Sequence, residues 1–180
     1  SVLVDRLVEG FETDGVLVDN AGGTYRAIHH LLKRGHRSFG FIGGDLQLTP
    51  ARERYDGFRS ALADFGLQVP EEHFRFGDFH VHSGYTLLGE LLSLPNPPES
   101  VFVSNYFMHI GAVRYVVEHR GMLSPRLFLA SFDDMELSAV TGIPSLTIAQ
   151  PVEQIGREAA GMLLERLNGG ESGPPRTKRL

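Results

Sequence analysis

Short apolar runs alternate with amphipathic stretches along almost the whole chain, and this alternation limits the fold more than any single motif does. Val2–Val4 and Val16–Val18 are apolar runs of strand length, and 21–34 follows as a helix with Tyr25, Ile28, Leu31 and Leu32 on one face. Asn20 stands where a side-chain oxygen can accept from the free N–H groups of that helix, and Gly35 closes it. Strand 38–42 leads to helix 51–65, in which Tyr55, Phe58, Leu62 and Phe65 recur at helical spacing. Strand 73–76 leads to helix 83–92, and strand 101–103 to a helix 106–120 carrying Tyr106, Ile110, Val113 and Val117. Strands 127–130 and 146–149 come next, then helix 152–167 with Val152, Ile155, Ala159, Met162 and Leu163 inward. Such alternation predicts an α/β fold, a parallel sheet flanked by helices on both faces.

Several function classes find no support. The chain has 180 residues and no cysteine, so disulfide frameworks and thiolate metal sites are excluded. No apolar run approaches the roughly 20 residues of a membrane span, and Ser1–Arg6 is too short and too early charged for a signal peptide. Net charge is −5, and the basic cluster Arg176, Lys178 and Arg179 reads as a solvated tail, so the chain alone is not expected to bind DNA. Gly40–Gly44 is not a dinucleotide fingerprint, and no phosphate-cradling GxxxxGK loop exists. His29 and His30 diverge on a helix; His80 and His82 could share a strand face but lack a third ligand, and the eight histidines read as mostly surface. Ser104, Ser131 and Ser138 lack a nucleophile-elbow context. No cofactor, metal or catalytic constellation is implied.

In open parallel sheets ligands bind beyond the carboxyl ends of the strands. The polar and aromatic residues there are Asp5-Arg6, Asp19-Asn20, Gly43-Gly44-Asp45, Asp78-Phe79, Asn105-Tyr106 and Asp133-Asp134. These fall into a known order. Asp19-Asn20 with Gly22-Gly23, His30-Leu31-Leu32 and Gly35-His36-Arg37, then Phe41-Ile42-Gly43-Gly44 and Arg54-Tyr55-Asp56-Gly57-Phe58, resemble the lactose/galactose repressor (LacI/GalR) family. So do Gly77-Asp78-Phe79 with Ser83-Gly84-Tyr85, Val103-Ser104-Asn105 with Ile110-Gly111-Ala112, Phe132-Asp133-Asp134 with Pro144-Ser145-Leu146-Thr147, and Gly156 with Ala159-Ala160. The likeness covers nearly the whole chain. Three positions depart from it: Tyr106 replaces the usual Asp, Ser131 the usual Gly, and His109 the usual small residue. Tyr106 alters the charge and volume of the pocket, so the ligand need not be a simple sugar.

The resemblance implies a periplasmic-binding-protein-like type I fold with one complete lobe, 20–146, and a partial second lobe from 1–19 and 147–180. It marks Arg54 as a ligand residue, whose guanidinium fork suits hydroxyls, carboxylate or phosphate; without it, a solvent-facing helix arginine is the plainer reading. Asp133 would accept from ligand hydroxyls or N–H groups, with Asp134 as a helix cap. Phe79 would stack on a ring, or else belong to the core. Asn105 would donate and accept at once, or else serve as a turn residue. Asp5 and Gln150 would contribute from the other lobe or hinge.

The implied function is a small-molecule effector sensor, sugar-like or nucleoside-like, in a cytoplasmic transcription regulator. The effector binds between lobes and shifts the population of a homodimer that presents operator-binding helix-turn-helix heads lying outside this chain. The homodimer would pair both lobes side by side, with helices 83–92 and 106–120 contributing to the two-fold interface. Rival readings are an exported solute-binding protein of the same fold and an α/β enzyme acting on a sugar or nucleotide. The incomplete lobe is expected to be the less stable part, its open strand edge or apolar face met by a second copy.

Overall fold

The computed structural model describes residues 1–8, 10–133, 141–169 and 173–180. The chain divides into two compact units, Ala21–Ala149 and a second made of Ser1–Asn20 with Gln150–Leu180.

The larger unit is a five-stranded, wholly parallel sheet. Its strands are β3 (Phe39–Gly43), β4 (Phe74–Phe76), β5 (Ser100–Val103), β6 (Phe128–Phe132) and β7 (Ser145–Ile148), in the order β4-β3-β5-β6-β7. Among the described residues the helices that accompany them are α1 (Asn20–Lys33), α2 (Thr49–Asp64), α3 (Val81–Leu92) and α4 (Tyr106–His119). The connection through α2 steps from β3 to one side, and the connection through α3 returns to the other. The order therefore reverses at β3, and in such sheets the reversal point beyond the carboxyl ends of the strands, here β3 and β5, is where ligands bind.

Both faces of the sheet are covered, and the strands are predominantly apolar for that reason. Ile42, Val101, Val103 and Leu129 pack with Leu88, Leu91, Met108, Ala112 and Val116 of α3 and α4. Residues of the opposite parity, Phe39, Phe41 and Phe102, are buried with Phe58 of α2. Helices α3 and α4 touch backbone to backbone. A Cβ on Gly84 would lie 2.0 Å from the Met108 carbonyl oxygen, and one on Gly111 1.9 Å from that of Val81. At the β4 edge, the Arg75 guanidinium donates to the carbonyls of Glu72 and Phe74 and to Glu90, which hinders pairing by another strand.

Several expectations need correction. Strand 146–149, assigned to the partial lobe, forms β7 and pairs with β6, because Leu146 and Ile148 extend the covered sheet. Asn20 is the first residue of α1 rather than its preceding cap, and its amide nitrogen donates to the Val18 carbonyl. The inward stripe of α4 runs through Met108, His109, Ala112, Val113 and Val116, while Val117 and Tyr106 are exposed. The Gly111 contact with α3 turns the helix that way. Phe65 lies past the end of α2 and is exposed. His80 and His82 do not share a strand face; His82 lies in α3 and His80 just before it. Two histidines belong to the core. His73 ring nitrogens lie 2.9 Å from the carbonyl oxygens of Phe39 and Asn96. His109 is fully buried with neither ring nitrogen hydrogen-bonded.

The smaller unit holds β1 (Val2–Val4), β2 (Asp14–Leu17), α5 (Val152–Leu167) and β8 (Thr177–Arg179), its strands parallel in the order β1-β2-β8. The basic tail is thus a strand and not a solvated end. Lys178 pairs with Glu158 at 2.6 Å, Arg176 with Glu165 at 2.9 Å, and Arg179 donates to the Val18 carbonyl. Asp14, 2% exposed, accepts two bonds from Arg166 of α5, at 2.9 and 2.8 Å, and one from the Arg176 N–H at 2.8 Å. The Arg166 bonds, then the Arg176 N–H, hold its carboxyl well below the usual carboxylate range. In α5 only Ile155 is buried; Val152 and Leu163, expected inward, are exposed along with Leu164 and Leu167. Leu7, Val8 and Phe11 are exposed as well. Among the described residues no helix is long and apolar enough to cross a membrane.

Two predictions follow from these buried groups. Burial lowers the His109 pKa to about 4 from 6.5, so between those values the unfolded chain holds a proton that the folded chain does not. Stability therefore falls as pH drops through this window, by about 2 kcal/mol between roughly pH 7 and 5. Urea unfolding of His109→Ala should show a flatter pH dependence by that amount; parallel profiles for the two proteins would contradict the assignment. Asp14→Asn should raise hydrogen exchange in α5 and β8 and leave β3 and β5 protected. Uniform exchange changes across both units would show that Asp14 does not hold the smaller unit by itself.

Candidate functional site

Beyond the carboxyl ends of the strands, at the sheet's reversal point, stand the residues that follow β3, β4, β5 and β6. After β3 comes Gly44, and the Phe79 ring lies directly on it: a Cβ there would be 1.9 Å from the ring's tip. Phe79 follows β4 by a tight turn in which the Asp78 carboxylate accepts from the His80 N–H, and that bond holds its carboxyl below the ordinary range. Phe79 itself has φ +67°, and its carbonyl accepts from the Asn105 amide nitrogen at 3.2 Å.

Asn105 follows β5 and caps α4, its Oδ1 accepting from the Met108 N–H at 3.1 Å. One amide therefore fixes the start of the helix and the turn bearing Phe79. A carboxamide has two N–H donors and two acceptor lone pairs, so one of each is not used by these two bonds. Asp133 follows β6 with φ +75°. Its N–H donates to the Ile148 carbonyl and its Oδ2 accepts from the Tyr106 N–H at 3.3 Å, which joins the end of β6 to the first residue of α4.

Arg54 lies beneath this edge. It is 6% exposed, so the solvent-facing alternative does not apply. Its Nη1 donates to the Ser104 carbonyl at 2.7 Å, and its guanidinium carbon lies 3.8 Å from the centre of the Phe132 ring. The neighbouring Gly57 lets α2 abut α1, since a Cβ there would meet the Ala21 carbonyl oxygen at 2.2 Å. Thus Phe79, Asn105, Asp133 and Arg54, far apart in sequence, are joined through Ser104, Tyr106 and Phe132 at one edge of the sheet.

Asp5 and Gln150 belong to the smaller unit. Asp5 follows β1 with φ +71°; its N–H donates to the Val16 carbonyl, and its buried Oδ1 has no hydrogen-bond partner. Gln150 is half-buried and its carbonyl accepts from the Val152 N–H. Among the described residues Asp5, Phe79 and Asp133 are the non-glycine residues in the left-handed region. Each such conformation costs on the order of 1–3 kcal/mol, and such strain concentrates where a ligand is gripped. Asp134 and Ser138 lie outside the described residues.

Sequence reasoning missed the supporting residues. Ser104 entered only as a failed nucleophile, yet it receives Arg54 and its own hydroxyl is buried without a partner. Phe132 was read only as part of a motif, and its stacking on Arg54 has no linear signal. Among the described residues no group of three potential ligands is placed to hold a metal ion.

Residues 28–180 match the family described as the periplasmic binding protein-like domain. The chain is 31% identical over 173 residues to the HTH-type transcriptional repressor CytR of Escherichia coli K12, covering 96% of this chain and 50% of that protein. It is 32% identical over 160 residues to the ribose operon repressor of the same organism, covering 87% and 48%. The chain thus spans about half the length of these relatives. A LacI family regulator from Enterococcus faecium, solved with bound ribose, superposes with a TM-score of 0.82 at 27% identity, over 99% of this chain and 66% of that one. The named relatives are two repressors and a transcriptional regulator. With its parallel sheet reversed at β3 and this ordered series of strand-end residues, the chain belongs to the periplasmic binding protein-like domain family, of the kind carried by LacI-family regulators.

Proposed function

We propose that this chain is the effector-sensing part of a bacterial transcription regulator and binds a small sugar-like or nucleoside-like molecule at the carboxyl edge of the larger unit. The observation that carries the reading is the bonded series Phe79–Asn105 and Tyr106–Asp133, with two of its members in strained backbone, at the sheet's reversal point. The Phe79 ring suits the flat or C–H face of a sugar or base. The Asp133 carboxylate suits hydroxyl or N–H donors. Arg54 holds the strand ends from below, and Asp5 and Gln150 are proposed as contacts carried by the smaller unit. The ribose bound in the Enterococcus faecium regulator supports the ligand class.

Regulation requires the ligand to bind one conformational state more tightly than another, and operator binding then follows through heads outside this chain. The chain's own basic tail is paired with acidic groups, which leaves DNA contact to those heads. A cytoplasmic setting goes with this role. The solute-binding alternative has the same fold, but the relatives named above are repressors.

A second copy is the proposed partner of α3 and α4. Val81, His82, Tyr85, Thr86 and Arg114 line a groove of about 450 Å³ there, and Val117 and Phe107 are exposed. Glu118 accepts from Tyr85 at 2.8 Å and from Arg114 at 2.7 Å, so these charges are met within the chain and the surface can take apolar contact.

Thermal shift against ribose, other pentoses and nucleosides should reveal a ligand, since one at about 100 times its Kd stabilises by about 2.7 kcal/mol. Asp133→Asn should then weaken it by about 1.5–3 kcal/mol, the range for hydrogen bonds to charged groups. Phe79→Ala should also weaken it, and Arg54→Ala should lower folding stability as well as affinity. Unaltered affinity in both Asp133→Asn and Phe79→Ala would remove the site from this edge. Sedimentation should find a dimer that Val117→Glu dissociates without loss of folding; an unaffected dimer would move the interface elsewhere.

A further inference from the structure

On the α2 side of the sheet the core is a connected array of aromatic rings. Phe41 meets Tyr55, Phe58, Phe74, Phe76 and Phe102 at centroid distances of 5.0–6.2 Å. Phe41, Phe58 and Phe102 are buried, but the array does not close at its rim. Tyr55 and Phe74 are half-buried, and Phe76 is 45% exposed. These three rings and Leu62 wall a groove of about 780 Å³ between α2 and β4. Small-molecule sites run from about 300 to 1,000 Å³. One more ring could join the open rim edge to face, as the inner rings already do.

Two charges border the same groove, Arg59 on α2 and Glu71 just before β4. Arg59 contacts Tyr55, with its Nη1 3.5 Å from the hydroxyl and its guanidinium carbon 5.7 Å from the ring centre. Among the described residues neither charge has an ionic partner, and they do not pair with each other. Elsewhere on this unit Arg75 pairs with Glu90, Arg114 with Glu118 and Arg126 with Glu99. An added β-strand is a poor occupant, because Arg75 already caps the carbonyls at the β4 edge. The groove offers an aromatic wall, one cation and one anion.

We propose that the groove between α2 and β4 is a second small-molecule site, for a zwitterion bearing a planar ring, an aromatic amino acid. The ligand ring packs on Tyr55, Phe74 and Phe76. Its carboxylate meets Arg59 and its ammonium meets Glu71. Phe79, Asn105 and Asp133 take no part, so this site stands or falls independently of the effector site.

The test is a two-dimensional NMR titration of the whole chain with L-phenylalanine. Saturable shifts confined to the region of residues 55–76 are expected, with a Kd on the order of 1 mM. Phenylacetate and phenethylamine each lack one charge and should bind about tenfold more weakly, the effect of losing one charge-assisted contact. Arg59→Gln should weaken phenylalanine and phenylacetate and spare phenethylamine; Glu71→Gln should weaken phenylalanine and phenethylamine and spare phenylacetate. Both positions are exposed, and retained spectral dispersion checks the fold of each variant. No saturable shift, shifts centred on Phe79 and Asn105, or undiminished phenylalanine binding in both variants would each overturn the proposal.

Discussion

Arg54 lies under the carboxyl edge of the larger sheet, and the arrangement of that edge rests on what its guanidinium touches. The planar cation lies against Phe132 at the end of β6 and donates to the Ser104 carbonyl at the end of β5. It thereby fixes α2 against two adjacent strands at the height where both chains leave the sheet. The residues that follow those strands, Asn105 and Asp133, inherit their positions from this anchor. Each then bonds onward, Asn105 to the Phe79 turn and Asp133 to the first residue of α4. A lysine could not replace it, since a point charge on a flexible stem offers neither a face for the ring nor a rigid fork.

The two units are held by different physics. The larger one closes on buried aliphatic and aromatic side chains, and its buried polar groups are few. The smaller one buries Val16, Leu17 and Val18 but a single residue of α5, and charge does much of the joining: Asp14 gathers α5 and the incoming β8 through Arg166 and Arg176. A carboxylate removed from water is tolerated because three donors surround it. Its apolar face, from Val152 through Leu167 on α5, is left uncovered in this chain.

Much of the larger unit was legible because covered parallel strands and amphipathic helices write their burial into local periodicity. Val101–Val103 and Phe39–Ile42 could hardly be anything but strands, and the strand-end positions of Phe79, Asn105 and Asp133 followed from the fold. What escaped reading depends on partners distant in sequence. Thr177–Arg179 looks like a polar tail until β2 supplies its hydrogen bonds and α5 its counter-charges. Strand β7 carries the same residues whichever sheet takes it, and pairing with β6 decides the matter. His109 sits on the inward stripe of α4 without a polar partner, a placement that no histidine count foretells. Arg54 was singled out, but its burial against Phe132 was not.

The glycine crossing of α3 and α4 has a mechanical meaning. At Gly84 and Gly111 the two backbones meet with no side chain between them, which leaves little there to absorb a displacement and couples the two helices mechanically. Both helices begin at the carboxyl edge of the sheet, α3 just after Phe79 and α4 at Asn105. Helix α4 has 14 residues, so its far end lies about 20 Å away at 1.5 Å per residue. A tilt of a few degrees imposed where Asn105 caps the helix is therefore magnified by leverage into a shift on the order of 1 Å at His119. The crossing thus links α3 and α4 into one lever whose short end is the strand-end edge.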